Sequence, residues 1–482
     1  MNQQLPSTAI GYIKKATNTV NVNISNESDR ITKFARRKQM LNDNFYAQVE
    51  QELGNVIVSA DDTGLIDQID DTNNLFRMVV EEISKVYDVE PQREFSTNKT
   101  EQEEMETLYK ELDTTEILEQ SNVYMNAFND VLIQVGFNDD DKKFTLKLRT
   151  PENTIVVADD DLKPEEVYIY GGKGKSDDKD MQIWYGYTKD NVFKLYVDTP
   201  NDVLGHESTD RLPLKDGGEI DNSLGFLPFI PIHKGFRDDS FWQIYKGDDL
   251  VKGNIQVAIK LTILNQLIKF QSFKQLVATS EAKQSLDGIA LDPASVIYLF
   301  GEGSDIKTLD LESNYKMLWD TINEINQNIA TNYKISGNMF KMTGTPSSGF
   351  SLLMENIKLD SFVGKQQKYY KKIEQDLFNL FKKMDDKMSL GIIKGDNLKT
   401  NFGELPYPKS DKELLDEQEK AISIGLTNAV AIIQKEKGVD EDEAMKIYKE
   451  NIEYRNMANE NLNKPTLDEN GTAEAMGIKT EE

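Results

Sequence analysis

Few residue groups in this sequence have a spacing that could do chemistry, and each has a competing structural explanation. Gly174-Lys175-Ser176 ends like a phosphate-binding loop, whose backbone amides and lysine cradle phosphate at a helix start. That motif needs a glycine five residues before Gly174, where Ile169 stands, and a helix afterwards, where Asp177-Asp178-Lys179-Asp180 follows. A loop between strands is the better reading. The runs Asp139-Asp140-Asp141 and Asp159-Asp160-Asp161 could hold a cation, but neither has a calcium loop's spacing, central glycine and terminal glutamate. Aspartates at strand boundaries favour turns. His206 and His233, the two histidines, have no serine nucleophile near them in sequence. There is no cysteine, so disulfides, thiol nucleophiles and cysteine-ligated zinc or iron–sulfur sites are excluded. No cofactor or metal is expected, and no enzymatic activity.

The elements that would position such groups are acidic overall. The 482 residues carry 56 Lys and Arg against 83 Asp and Glu, a formal charge of −27. Wrapping DNA tightly needs a basic footprint, which this balance lacks. The length corresponds to about three domains, and the 38% hydrophobic content is low for one large core. No apolar run approaches the ~20 residues that cross a bilayer. The N-terminus lacks the apolar core of a signal peptide. A soluble chain made in a cytoplasm, without a membrane partner, is expected.

Helices are predicted over 28–51 and 71–87, and over 100–135 with a break near Asp113–Thr115. Short β-branched and aromatic runs follow (KFTLKLRT, NTIVVA, EEVYIYGG, MQIWYGYT, NVFKLYVDT), separated by Asp, Gly, Asn and Pro, as in an antiparallel sheet. LGFLPFIPIHKG closes that region, its two prolines requiring extended or edge backbone. Helices return at 248–272, 314–335 and 350–390, with two or three short ones over 410–462, and 273–312 read as a small β insert. The segment from Pro465 is polar.

The helix from Asp248 stands out. From Leu250 to Ser280 there is no acid and there are four bases, Lys252, Lys260, Lys269 and Lys274. Its apolar residues surround the helix, so more than one face needs a partner. Lys260 and Lys269, two and a half turns apart, project in nearly opposite directions. On composition alone a buried bundle helix with snorkelling lysines is an equal reading. The next helix carries Tyr315, Leu318, Ile322, Ile325 and Ile329 at 3-4-3-4 spacing, a coiled-coil-like seam. Two long helices joined by a β insert make a hairpin with a tip.

This order of elements resembles the portal proteins of tailed double-stranded DNA bacteriophages. The likeness rests on NNLFRMVVEEISKVYDVEP (73–91), LKLRTPENTIVVADDD (146–161), LGFLPFIPIHK before a long helix, SGNMFKMTGTPSSGFSL (336–352) and AISIGLTN (421–428). It spans about 70–460 through loose patterns rather than one signature. The resemblance implies an α+β, portal-like fold, mostly helical, with long stem helices, an antiparallel β wing and a small α/β clip insert. The parts would be an N-terminal arm and wing (1–240), first stem helix (241–272), clip (273–313), second stem helix (314–340), tunnel loop (341–349), wing long helix and return strand (350–409), and helical crown with acidic tail (410–482).

It further implies a homo-oligomeric ring, dodecameric in virions, at the unique capsid vertex. Double-stranded DNA would pass through it without sequence specificity during packaging, retention and ejection. Its partners would be the terminase large subunit, a head-completion adaptor, and the major capsid and scaffolding proteins, with assembly in the host cytoplasm. Lys252, Lys260 and Lys269 on the stem would touch DNA. So would Lys341, Thr343, Gly344, Thr345, Pro346, Ser347, Ser348 and Gly349 of the tunnel loop. Val296, Ile297, Tyr298, Leu299 and Phe300 would pair at the clip. Read without the resemblance, the loop is a simple helix connector. The alternatives are another ring-forming neck, baseplate or non-viral scaffold protein, or a hydrolase using paired carboxylates.

Overall fold

Helices α1 (Ser28–Leu41) and α2 (Tyr46–Val56) lead into α3 (Leu75–Ile83), which starts where the Asn74 side chain accepts the Arg77 amide at 3.0 Å. The computed structural model describes residues 28–57, 65–138, 140–176, 179–198, 220–235, 241–243, 247–272, 275–280, 297–300, 306–309, 315–340, 349–403 and 411–462. The helix predicted over 28–51 is thus two helices, and the one over 71–87 is shorter at both ends. Strand β1 (Gln92–Glu94) precedes α4 (Lys99–Glu111) and α5 (Thr114–Phe128).

One prediction fails after α5. Residues 130–135, expected to be helical, form β2 (Asp130–Asn138). Asn129 takes a left-handed conformation (φ 69°) that stops the helix, and its side-chain amide donates to the Gln243 carbonyl at 2.9 Å. The β-branched residues of β2 then gain ladder partners on both edges. β3 (Lys143–Arg149) and β9 (Phe229–His233) flank β2 antiparallel. The second sheet is an antiparallel meander in sequence order, β4 (Thr154–Ala158), β5 (Pro164–Ser176), β6 (Lys179–Tyr187), β7 (Asn191–Asp198) and β8 (Ile220–Asp221).

After β9 come α6 (Asp248–Ser272), the strands β10 (Gln275–Ser280), β11 (Ile297–Phe300) and β12 (Ile306–Leu309), and α7 (Tyr315–Tyr333). The 40-residue α8 (Gly349–Met388) follows, then β13 (Lys399–Asn401), which pairs antiparallel with β1. Three helices end the described chain: α9 (Asp411–Ser423), α10 (Ala429–Lys437) and α11 (Glu441–Leu462). Gly438, at φ 66°, closes α10 in the left-handed conformation glycine adopts without strain. The fold is an α+β mix.

The chain divides into two compact units, residues 1–344 with 355–406, and residues 345–354 with 407–482. The first has a continuous core in which Phe34, Phe76, Phe128, Tyr370, Phe378 and Phe381 are almost wholly enclosed. α8 is fastened within it by Glu374, whose carboxylate is fully buried. It accepts from Arg93 Nε at 2.7 Å and Nη2 at 2.8 Å, and from the Tyr87 and Thr400 hydroxyls at 3.0 Å each. That one side chain ties the helix to β1, β13 and the segment after α3. Burial first, and then the Glu374 charge, push the Tyr87 hydroxyl well above its ordinary pKa.

Candidate DNA channel and partner interfaces

The stem reading rests on α6 and α7, which pack as an antiparallel pair. Their start and end meet: Asp249 accepts from the Tyr333 hydroxyl at 3.1 Å and the Asn332 amide at 3.2 Å. Further along, a Cβ on Gly253 would lie 2.4 Å from Ile329 Cδ1, so the helices pack closely there and any larger residue requires the end of the Ile329 side chain to move. Ile322 and Ile329 are buried in the pair, and Leu318 and Ile325 half-buried, as the 3-4-3-4 seam requires. Tyr315, the seam's first member, is 57% exposed in the single chain.

The all-round apolar character of α6 has a direct explanation. One side meets α7, and another packs on α2 and α3. Polar residues fix that second contact. The Phe76 amide donates to Asn254 Oδ1 at 3.1 Å, the Asp70 amide to Thr262 Oγ1 at 2.9 Å, and Asn265 Nδ2 to Asp70 Oδ2 at 2.8 Å. Lys252 and Lys269 remain exposed, whereas Lys260 is half-buried. The three therefore do not form one basic stripe.

At the base of the pair lies a charged cluster that sequence spacing did not reveal. Arg37 Nη2 meets Asp248 at 3.0 Å and Lys33 Nζ meets it at 3.2 Å. Burial raises the Asp248 pKa, but those two cations outweigh it and hold the carboxyl below its usual range. Lys234 donates to the Asn126 carbonyl at 3.2 Å and stands 5.5 Å from the centre of the Tyr333 ring. Desolvation, with Arg37 adding to it and Asp249 opposing, lowers the Lys234 ammonium to about 8. Burial, then Asp249, raises the Tyr333 hydroxyl. The visible hints were only the Asp248-Asp249 pair at a helix start and a lysine ending an extended run.

The strands between the helices form one small sheet in the order β11-β10-β12, β10 being parallel to β11 and antiparallel to β12. Ile297, Tyr298, Leu299 and Phe300 pair with Val277, Ala278, Thr279 and Ser280, so β11 occupies an edge of the sheet. Val296 lies outside the described residues. So do Lys341 and Thr343 to Ser348, while Gly349 is the first residue of α8.

The other candidate groups fall into structural roles. Gly174-Lys175-Ser176 lies at the end of β5, with no helix behind it. Asp140 and Asp141 bond with Asn138, and Asp159 accepts the Lys163 amide at 2.7 Å, as turn residues do. His233 Nδ1 lies 2.8 Å from Asp130 Oδ1 and both side chains are buried. Burial raises the Asp130 carboxyl even against that histidine. His206 lies outside the described residues. Among the described residues no three His, Asp or Glu side chains are grouped to hold a metal ion, and no helix is long and apolar enough to cross a membrane.

Comparison with known proteins gives three results. No curated protein matches the chain. Among solved structures, the chain is similar to one from a particle described as the virion of a native gene transfer agent (GTA). That alignment covers 78% of this chain and 93% of the other, with a TM-score of 0.38 and 10% identity. The family model described as phage portal protein, SPP1 Gp6-like, matches residues 69–457. That span runs from just before α3 into α11, and takes in the β2–β9 sheets, the α6–α7 pair and α8. The chain belongs to the SPP1 Gp6-like family of phage portal proteins.

Proposed function

We propose that this portal protein is the subunit of a ring, twelve-fold in the virion, seated at the portal vertex. The ring conducts double-stranded DNA into and out of the head without reading its sequence. The α6–α7 pair is the stem. The β10–β12 sheet is the clip that docks the terminase large subunit during packaging and the head-completion adaptor afterwards. Residues 1–240 and 350–409 form the wing that meets the major capsid and scaffolding proteins, and 410–482 the crown. Assembly takes place in the host cytoplasm.

The observation that carries this reading is the α6–α7 pair within the family match: an antiparallel helical hairpin, acid-free along α6 beyond its first turn, interrupted by a compact sheet. A strongly basic channel would hold DNA in place, since each phosphate contact adds a salt-dependent attraction. In a twelve-membered ring the formal charge is on the order of −320, screened beyond roughly 10 Å. The net negative charge of the ring repels the duplex, and sparse lysines on acid-free α6, such as Lys252 and Lys269, make contacts that break easily. Lys341 and the Thr343–Gly349 loop are proposed as a second, adjustable contact. Ile297 to Phe300 present an edge for pairing at the clip.

Replacing Lys252 and Lys269 by alanine tests the channel assignment. Ring assembly should be unchanged, while packaged or retained DNA per head changes. Deleting Thr345–Ser348 should act the same way. Heads that fill and keep their genomes normally with both changes would contradict the channel reading.

A further inference from the structure

A cleft beside β3 has no place in the channel reading. β3 is the outer strand of its sheet, in the order β3-β2-β9, and among the described strands it pairs with β2 alone. The cleft has a volume of about 410 Å³ and is also lined by Phe34 and Lys38 of α1 and by Tyr124 of α5. Three consecutive residues of β3, Lys147, Leu148 and Arg149, line it as well. Successive side chains of a strand point to opposite faces, so a cleft that touches all three lies against the strand's edge. An edge strand carries backbone N–H and C=O groups that have no partner within its sheet.

The charge of the cleft opposes that of the chain. Its lining holds three bases, Lys38, Lys147 and Arg149, and no acid, whereas the whole sequence has a formal charge of −27. Lys38 is already engaged, its Nζ lying 2.7 Å from Glu152. Among the described residues no carboxylate pairs with Lys147 or Arg149. Arg149 is half-buried, and its Nε donates to Gln134 Oε1 at 2.8 Å, which fixes the guanidinium and leaves both Nη groups to donate elsewhere. Burial lowers the Arg149 pKa, with only Tyr187 opposing. A cation held partly out of water without a counterion is a site for an anion. Tyr124 adds a donor, since its hydroxyl accepts from Gln120 Nε2 at 3.0 Å and keeps its own proton to give.

We infer that an extended acidic segment of a partner protein adds to the β3 edge as a fourth strand, its carboxylates meeting Arg149 and Lys147. Those two residues are two apart and so stand on one face of the strand, which matches a segment with an acid at every second position. Strand addition takes its affinity from main-chain hydrogen bonds and its selectivity from the alternate side chains. The edge separates a peptide from nucleic acid as the occupant, because a phosphodiester backbone has no N–H and C=O ladder to offer it. The overall charge of −27 also disfavours a duplex. The site belongs to the single chain and goes beyond the ring reading without depending on it.

Fluorescence anisotropy of the full-length protein tests this with a labelled peptide alternating Glu and Thr over about ten residues, a strand's length. The peptide should bind saturably, one per chain. Lys147→Gln should weaken it about two- to fivefold, and Arg149→Gln about tenfold or more, because that guanidinium is partly desolvated. Lys147 is exposed, so Lys147→Glu carries the test should Arg149→Gln fail to fold. It should weaken the Glu-Thr peptide and strengthen binding of a Lys-Thr counterpart. The Glu-Thr peptide methylated on every backbone nitrogen keeps its charge but has no N–H to donate, and should bind about fivefold or more weakly. Equal binding of the methylated peptide means attraction by charge alone and overturns the strand addition. No saturable binding by about 1 mM peptide, or binding that neither Lys147 nor Arg149 substitutions change, overturns the site. A DNA duplex that binds more tightly than the peptide and is lost on the same substitutions makes the occupant a phosphate and also overturns it. A peptide that binds the monomer but is excluded from an assembled ring means that a second copy fills the cleft, with the same consequence.

Discussion

Glu374 is the point at which the first unit is most open to a single change. Its carboxylate is 0% exposed and the Arg93 side chain 7%, and four donors converge on it from β1, β13 and Tyr87. Glu374→Leu keeps the volume roughly but leaves the guanidinium buried. The Thr115 hydroxyl at 2.9 Å and the Tyr109 ring, 5.5 Å from the guanidinium carbon, are then its neighbours. Breaking a buried pair by removing one partner costs about 3–5 kcal/mol, because the remaining charge has lost its counterion. The Tyr87 and Thr400 hydroxyls lose an acceptor as well, at roughly 1 kcal/mol each where no water replaces it. Glu374→Leu should therefore lower stability by about 3–5 kcal/mol or slightly more, and Arg93→Leu by a similar amount. The double variant should cost less than the sum of the two by about 2 kcal/mol or more, since it removes the charge left unpaired. Denaturant unfolding followed by the fluorescence of the three tryptophans, at one fixed protein concentration, measures all three. A loss below about 1 kcal/mol for Glu374→Leu, or strict additivity, would refute the reasoning.

Two further outcomes follow from the α6–α7 pair and the residues at its base. Gly253→Ala gains about 1 kcal/mol of helix propensity but forces Ile329 to retreat, at about 1–3 kcal/mol, so the variant should be neutral to about 2 kcal/mol less stable. Adding Ile329→Val removes the clashing Cδ1 and should restore the Gly253→Ala variant. If Gly253→Ala is as destabilising in the Ile329→Val background as in the unaltered chain, the packing assignment is wrong. Lys234 gives a pH signature, because its ammonium titrates near 8 when folded and near 10.4 when unfolded. Between those values the unfolded chain binds more protons, so this group's penalty is full below about pH 8 and fades as pH rises towards 10.4. With the side chain half-buried, the effect is on the order of 1–2 kcal/mol. Stability relative to Lys234→Met should rise between pH 7.5 and 9.5, and parallel pH profiles would contradict the assignment.

The pattern of helices and strands was legible where side-chain periodicity reports one buried face. The Tyr315–Ile329 seam and the strand runs from Lys143 to Asp198 are of this kind. Periodicity failed at Asp130, where VLIQV suits either structure and the choice depends on β3 and β9 arriving on both sides. The turns at Asp140–Asp141 and Asp159–Asp161 followed from aspartate's local bonding, which needs no tertiary context. The buried polar contacts did not follow from anything local. Arg93 and Glu374 are 281 residues apart, Arg37 and Asp248 are 211, and Asp130 and His233 are 103. Acid absent from Leu250 to Ser280 identified α6 as unusual, but which lysines stay exposed depended on the positions of α2, α3 and α7.

The central claim is that this chain forms a closed ring around a DNA-sized channel. Electron microscopy of the purified full-length protein, with its mass measured in parallel, tests that most directly. The account predicts a cyclic assembly with the α6–α7 hairpin around an axial opening wide enough for a duplex, roughly 20 Å or more, Lys252 or Lys269 facing that opening. A monomer, an open filament, or a ring whose axis is lined by other elements would contradict it.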